Sequence, residues 1–596
     1  MTSELVISYD SEKRAAQLDY HGDAKAWPYI RRVCQDTSEQ TELIGATSLI
    51  LPWWAYLGCR RELAYQARRH SFQIKAAPSA AKKVALADDV ARQYDEAIKE
   101  PALADQEILA ELKSKGFKRD LTPEQLRNVC SLARLPSGAT FSVPGAGKTT
   151  EALAFFCLKR QAKSRLIVVC PKNAFPAWEE QLALCLDDTE GFVRLRGGNG
   201  AIKKALKSKP GKVLITYQQL PTVTDLISEY IEQEHAFVFL DESHRIKRGF
   251  TGVIGNRILS FAELPDSKLI MSGTPMPNDV GDLVPQFRFL YPEVPADETS
   301  VDSYIKPIYV RTTKTELKLP EIKKKIVRIP MRPAQFELYE LLRSEVARQT
   351  TKKSLNIRDK MRLRRAGQSA LRMLQVVTNP ALLARVQFEH PNLLSEALGE
   401  GDSPKLEYAC LRARELAFGG MKSIIWSSFV DNVELVANRL RDLGAEFIHG
   451  GVDAGDENEE GTREQKVKRF HEDEGCCVLV ANPAACGEGI SLHKVCHHAI
   501  YLDRNYNAAQ YMQSEDRIHR LGLAPTDTTF VEILVAPGTV DESVDRRLTL
   551  KIQNMARVLG DASLHVEPEV VDMDADGFGF DDFKDFVAHV SGKDAA

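Results

Sequence analysis

The chain has 596 residues, too many for a single hydrophobic core, and ordinary domain size predicts three or four compact parts. Lys+Arg 79 against Asp+Glu 83 leaves a formal charge of −4, which excludes a global polycation and requires any nucleic-acid footprint to be a local patch. Eleven cysteines are scattered with no C-x-x-C pair, several of them (Cys157, Cys170, Cys476, Cys477) inside apolar runs where free thiols behave as small hydrophobes, which fits a reducing compartment. The start, MTSELVISYD, lacks a basic leader with an apolar centre, and the longest apolar stretch, ATSLILPWWAYLGC, is short and broken by proline. The expectation is a soluble, cytoplasmic chain with no membrane contact; oligomeric state is not legible.

In chain order, residues 1–115 read as an N-terminal accessory domain. They hold Trp27, Trp53 and Trp54 and close on the helical segment ADDVARQYDEAIKE. Aromatics beside Arg60, Arg61, Arg68 and Arg69 offer two readings, base stacking or a small core, and the core is the commoner use of such residues. Over 116–300 short apolar strands, LIVVC, VLITY, FVFLD and LIMSG, alternate with amphipathic helical runs, the pattern of a parallel sheet covered by helices. Residues 301–403 have few strands. Their helical stretch carries Arg343, Arg348, Lys352, Lys353, Arg358, Lys360, Arg362, Arg364, Arg365 and Arg372, either a phosphate-tracking face or a solvated helix surface.

Over 404–560 the alternation resumes with SIIWSS, EFIHG, CCVLVA, HHAIYL and TFVEILV, so a second α/β domain of similar build follows. His493, Cys496, His497 and His498 sit between motifs of that domain and read as part of its fold rather than a zinc site. Residues 561–596 form an acidic tail. Asp572, Asp574, Asp576 and Gly577 imitate a calcium loop, but Phe583 stands where a bidentate Glu is required.

Two segments carry chemistry. In FSVPGAGKTT, Phe141 to Thr150, Gly145 and Gly147 let backbone N–H groups turn toward phosphate oxygens at a helix N-terminus; the strict pattern's first glycine is Ser142. Lys148 would reach the outer phosphates, and Thr149, with Thr150 beside it, would meet the nucleotide and its Mg²⁺. Some ninety residues on, FVFLDESH ends an apolar strand with Asp241, which would hold the same ion, and Glu242, which would orient and deprotonate the attacking water. Together they predict an ATP and Mg²⁺ site.

Over residues 117 to 552 the motif order resembles superfamily-two helicases, and more closely the Swi/Snf-type branch of DNA-dependent ATPases. FKRDLTPEQL resembles the adenine-reading segment, with Gln125 as its glutamine. CPKNAFPAWEEQL resembles a DNA-contacting segment carrying Pro171 and Trp178. YQQL after VLIT, with Thr216, then DESHRIK with His244 and SGTPMPND with Ser272 and Thr274, follow in the family's order. RTTKTELKLPEIKKKIVRIPMRPAQFELYELL resembles the segment after the first motor domain. In the second domain VLVANPAACGEGISL, with Gly489, and QYMQSEDRIHRLG, with Gln513, Arg517 and Arg520, match later motifs. Ala484, Cys486 and Leu523 stand where the family has arginine, glycine and glutamine.

The resemblance implies two RecA-like parallel-sheet domains in tandem, with a helical basic insertion and a small N-terminal domain. It implies adenine selection by Gln125, and DNA contact or coupling through Trp178, Thr216, His244, Ser272, Thr274 and Gly489. Arg517 and Arg520, three apart, are expected on one helical face directed at the γ-phosphate. The implied function is ATP-driven movement on DNA, chiefly duplex, in replication, recombination, repair or defence in a prokaryote or virus. An ATP-gated DNA-binding subunit acting on a partner enzyme, through the N-terminal domain or acidic tail, and an RNA-dependent motor remain as rival expectations.

Overall fold

The computed structural model describes residues 3–564 except 12, 39, 188–189, 352–359, 386–387, 454, 456–458, 487–489 and 562; within helices it leaves aside the side chains of 348–351, 360–366 and 385. The chain divides into two compact units. One takes Met1–Ser142, Gly147–Met276 and Val280–Thr312, the other Val143–Ala146, Pro277–Asp279 and Thr313–Ala596.

The first unit opens with a mixed five-stranded sheet in the order Glu42–Leu43, Ser48–Pro52, Ala15–His21, Glu4–Asp10, Gln73–Ala76, antiparallel except for the last pair. Leu5 and Ile7 on one strand and Ala16, Leu18 and Tyr20 on its neighbour alternate with solvated positions, the period of a half-buried sheet. The helices Trp27–Thr37, Trp53–His70 and Pro78–Ala97 contribute Ile30, Cys34, Leu57, Leu63, Ala80 and Ala87 to the same core. Trp27, Trp53 and Trp54 are all buried in it, so the base-stacking reading of these tryptophans is excluded. Arg60 is committed to an ion pair with Asp88.

This small sheet is not a separate unit. Trp54 lies flat against Phe250, Arg14 pairs with Glu232 at 3.1 Å, and the Tyr94 hydroxyl donates to the Tyr304 carbonyl at 2.7 Å. The expected boundary at 115/116 therefore marks no break between compact bodies.

The larger sheet of the first unit has seven parallel strands in the order Tyr309–Val310, Gly138–Thr140, Ser267–Met271, Ala236–Asp241, Arg165–Val169, Lys212–Ile215, Val193–Arg194. Its inner strands are buried at every or nearly every position, which is why they read as continuous apolar runs. The second unit carries six parallel strands in the order Ile322–Arg328, Thr529–Val535, Cys496–Tyr501, Lys422–Trp426, Val478–Ala481, Glu446–Ile448. The two-sheet expectation holds, but the 301–403 segment is not a plain linker. Tyr309–Val310 is the edge of one sheet and Ile322–Arg328 the edge of the other.

Candidate active site

Parallel strands deliver their following loops to one edge of a sheet. In the first unit that edge gathers the loop after Gly138–Thr140, the end of Ala236–Asp241 and, from the strand between them, Ser272. Gly145 and Gly147 have φ of +86° and +88°, which side chains resist, and the helix Lys148–Lys159 begins at once with no side-chain cap on its first N–H groups. A Cβ on Gly147 would stand 2.2 Å from Gln125 Nε2. Gln125 is buried, and its Oε1 accepts from the Thr122 N–H at 3.1 Å in a capping box that starts Pro123–Ala133. Lys148 Nζ donates to the Ser142 carbonyl at 3.0 Å. Thr149 is partly exposed, whereas Thr150 is buried and its hydroxyl donates to Gln181 Oε1 at 3.1 Å, away from any nucleotide role for that hydroxyl.

Beneath the loop lies a polar network the motif does not announce. Glu151 is fully buried and accepts from Asn128 Nδ2 at 2.7 Å and from the Thr140 hydroxyl at 2.6 Å. Burial pushes its carboxyl up to about 7, with the Thr140 and Asn128 hydrogen bonds and Lys148 acting in the opposite direction. The serine in place of the pattern's first glycine has work here. Ser142 Oγ accepts the Thr312 N–H at 3.0 Å and lies 3.1 Å from the Thr140 hydroxyl, tying the start of the loop to the network.

Asp241 ends its strand, and Glu242 follows with φ +57°. Trp178 is fully buried and donates its indole N–H to Asp241 Oδ2 at 3.0 Å, while the Tyr217 hydroxyl donates to the Asp241 carbonyl at 2.7 Å. The expected DNA contact by Trp178 is thereby corrected: the ring is inside the protein and its polar edge steadies the acidic pair. Buried His244 has Nδ1 3.5 Å from Glu242 Oε2 and 3.1 Å from Ser272 Oγ, which also accepts the Thr274 N–H at 3.0 Å. His244 thus lies beside Glu242 and is hydrogen-bonded, through Ser272, to the turn after the strand Ser267–Met271. Thr216 Oγ1 accepts the Gln219 N–H at 3.1 Å and shapes the turn after Lys212–Ile215.

In the second unit the helix Ala508–Asp516 ends before both expected arginines, which corrects the reading of Arg517 and Arg520 as one helical face. Arg517 caps the helix and is buried, donating from Nη1 to the Ile490 carbonyl at 3.0 Å; Arg520 lies beyond in a bend and is partly exposed. Gln513 is buried, and its Oε1 has no hydrogen-bond partner among the described residues. Three residues that no motif singled out fix this corner. Lys314 pairs with Asp516, Lys324 with Glu515 at 2.7 Å, and His519 Nε2 donates to the Pro320 carbonyl at 2.7 Å. Burial and Lys314 hold the His519 imidazole down at about 4, against the opposite pull of its hydrogen bond to Pro320. The clue was the cluster of lysines around LKLPEIKKK, whose partners lie two hundred residues away.

His497 donates to the His493 carbonyl and His498 stacks on Phe530, so these histidines serve the fold as expected. Cys486 is buried. Gly489, the side chains of Arg362, Arg364 and Arg365, and the acidic tail with Asp572, Asp574 and Asp576 lie outside the described residues.

A glycine cradle at a helix start, with Lys148, Thr149 and Asp241 as phosphate and cation partners, fits a nucleoside triphosphate with its Mg²⁺. Fold and site together define a phosphate-loop nucleoside triphosphatase with two parallel-sheet units in one chain. The SNF2-related domain family matches residues 136–304, and the helicase conserved C-terminal domain family matches residues 410–522. Residues 136–304 are thus similar to SNF2-related domains and residues 410–522 to helicase C-terminal domains, in that order along the chain. The chain is similar to the SNF2 domain-containing protein ENL1 of Oryza sativa subsp. japonica, 23% identical over 67% of this chain and 47% of that one. It is also similar to the putative ATP-dependent helicase/translocase YwqA of Bacillus subtilis, 25% identical over 68% and 45%. The chain thus spans about half the length of these relatives. The solved Sulfolobus solfataricus SWI2/SNF2 ATPase core in complex with dsDNA aligns over 75% of this chain and 94% of its own at 21% identity, with a TM-score of 0.33. Among the described residues no helix is long and apolar enough to cross a membrane.

Proposed function

We propose that this protein hydrolyses ATP to drive movement along DNA, duplex first. The observation that carries the reading is the convergence at one sheet edge of the Gly145–Gly147 cradle, the Asp241–Glu242 pair and the His244–Ser272 path. Lys148 and the first N–H groups of its helix bind the phosphates, Gln125 flanks the loop as the adenine reader, and Thr149 and Asp241 hold Mg²⁺. That ion, when bound, neutralises charge on the β and γ phosphates. Glu242 orients the attacking water and takes its proton. Arg517 and Arg520 supply guanidinium charge to the transferring phosphoryl group, and Gln513, with its orphaned oxygen, belongs to the same function. His244, Ser272 and Thr274 relay the state of Glu242 to the rest of the first unit, and Arg362, Arg364 and Arg365 track phosphates.

The test is steady-state ATP hydrolysis with no nucleic acid, duplex DNA, single-stranded DNA and RNA, with Lys148→Ala as the blank. Duplex stimulation of several-fold over the other conditions is expected. Indifference to all three nucleic acids would overturn the reading in favour of a partner-gated clamp.

A further inference from the structure

The seven-stranded sheet has a second edge, opposite the one that carries the phosphate loop. There the parallel strands Arg165–Val169 and Lys212–Ile215 start side by side, with Leu166 opposite Lys212 and the Leu166 N–H donating to the Gly211 carbonyl at 2.9 Å. The turns that lead into the two strands therefore open next to each other. With Lys115 and the end of the helix Lys148–Lys159 they bound a cavity of about 760 Å³, within the size range of small-ligand sites. Six cationic side chains line it against two carboxylates, Glu190 and Glu234.

Part of this charge is committed inside the protein. Lys115 pairs with Glu111 at 2.9 Å and donates to the Leu158 carbonyl, and Arg160 donates to the Lys115 carbonyl at 2.9 Å. Cations that close helix ends in this way need no ligand. Lys212 donates to the Glu190 carbonyl at 3.2 Å. The other three differ. Arg165 is 3% exposed, and its guanidinium bonds only neutral acceptors, the Tyr230 carbonyl and Gln233 Oε1 at 3.3 Å, while lying over the Tyr230 ring. Lys163 and Lys209, one in each turn, are exposed. Among the described residues no carboxylate stands within ion-pair distance of Arg165, Lys163 or Lys209.

The backbone singles out the same two lysines. Lys163 has φ +67° and Lys209 φ +50°, a conformation that costs a residue with a Cβ about 1–2 kcal/mol and that glycine adopts freely. A buried guanidinium without a counter-charge is costly, and an anion in the cavity would supply that charge to all three groups. Three cations call for more than one negative charge, and guanidinium and ammonium groups match phosphate oxygens. A volume of this order suits a molecule with two or three phosphates, whereas a nucleic-acid backbone needs a surface that runs on beyond it.

We propose that this cavity binds an oligophosphate, free or as part of a nucleotide, with Lys163, Lys209 and Arg165 facing its phosphate oxygens. The site is separate from the phosphate loop and does not rest on the motor reading.

The test uses the full chain carrying Lys148→Ala, which disables the phosphate loop as a competing site, and titration calorimetry with inorganic tripolyphosphate in the absence of Mg²⁺. Guanosine tetraphosphate, citrate and a short DNA duplex are further arms. Adding Lys163→Gly/Lys209→Gly is expected to weaken tripolyphosphate binding about tenfold or more, while the unliganded chain melts at the same or a higher temperature because glycine relieves both turns. Lys163→Arg/Lys209→Arg should keep the binding. Unchanged affinity in the glycine variant, or no binding of either phosphate compound, would overturn the proposal. Citrate bound as tightly as tripolyphosphate would overturn it in favour of a general anion patch. Displacement of tripolyphosphate by duplex, dependent on Lys163 and Lys209, would overturn it in favour of a nucleic-acid surface. Tighter binding of guanosine tetraphosphate supports the nucleotide as the source, and tighter binding of tripolyphosphate supports the free polyphosphate. Hydrolysis is measured on the lysine variants with Lys148 restored. If lysine-dependent oligophosphate binding persists in a chain whose hydrolysis ignores nucleic acid, the motor reading fails and this one stands.

Discussion

On the proposed role of Glu242 as the base that activates water, Glu242→Gln should keep ATP binding and lose hydrolysis by about 10² or more, read as turnover against retained nucleotide. Trp178 acts one bond further out. Replacing it with Phe removes the indole N–H from Asp241, and the Mg²⁺ concentration for half-maximal hydrolysis should rise about tenfold with ATP affinity at saturating Mg²⁺ little changed. Glu151 makes a prediction about pH. Its folded carboxyl titrates at about 7 against an ordinary value of 4.5, so the folded state holds the proton longer than the unfolded chain. The stability this contributes is present below 4.5 and is lost as pH rises through 7, on the order of 3 kcal/mol. Thermal melts from pH 4 to 8 should show that decline in wild type and a flatter profile in Glu151→Gln. Among these residues, the position of Glu242 at the end of a buried strand was legible because the apolar run before it is local. Trp178 was legible as a position but not as a contact, since nothing in PAWEEQL says that its indole turns inward toward a strand sixty residues on.

At the scale of elements, the phosphate loop tolerates no side chain where Gly147 faces Gln125. Gly147→Ala should abolish nucleotide binding in a chain that still folds, measured by nucleotide titration and circular dichroism. The end of the helix Ala508–Asp516 separates two arginines that sequence spacing had joined. Arg517 is tied to the Ile490 carbonyl, so Arg517→Ala should lower both melting temperature and turnover, whereas Arg520→Ala should lower turnover alone. Nine strands of the two large sheets were legible because buried parallel strands are apolar throughout. Ile322–Arg328 was not: IKKKIVR is mostly exposed and joins its sheet through backbone pairing with Thr529–Val535, which composition does not reveal. The strands of the N-terminal sheet are short and half-buried, and the weak alternation of Glu4–Asp10 gave too little signal against the helices around it.

For the whole molecule, the placement of the N-terminal sheet matters most. Trp54 on Phe250 and Tyr94 among Phe287, Tyr291 and Tyr304 make the first 115 residues part of the body that carries the phosphate loop. Truncation at 116, which the sequence alone recommends, should yield an aggregating protein, checked by light scattering of the truncated and full chains. The hydrolysis measurements therefore call for a chain that keeps residues 1–115. The glutamate after Asp241 has a consequence of another kind. With φ at +57° it occupies a backbone conformation that costs a non-glycine residue about 1–2 kcal/mol, and the proposed mechanism requires its carboxylate there. Fold and chemistry are thus in competition at a single residue: Glu242→Gly should raise the melting temperature of the first unit relative to Glu242→Ala while abolishing turnover, so selection for robustness alone would erode the catalyst.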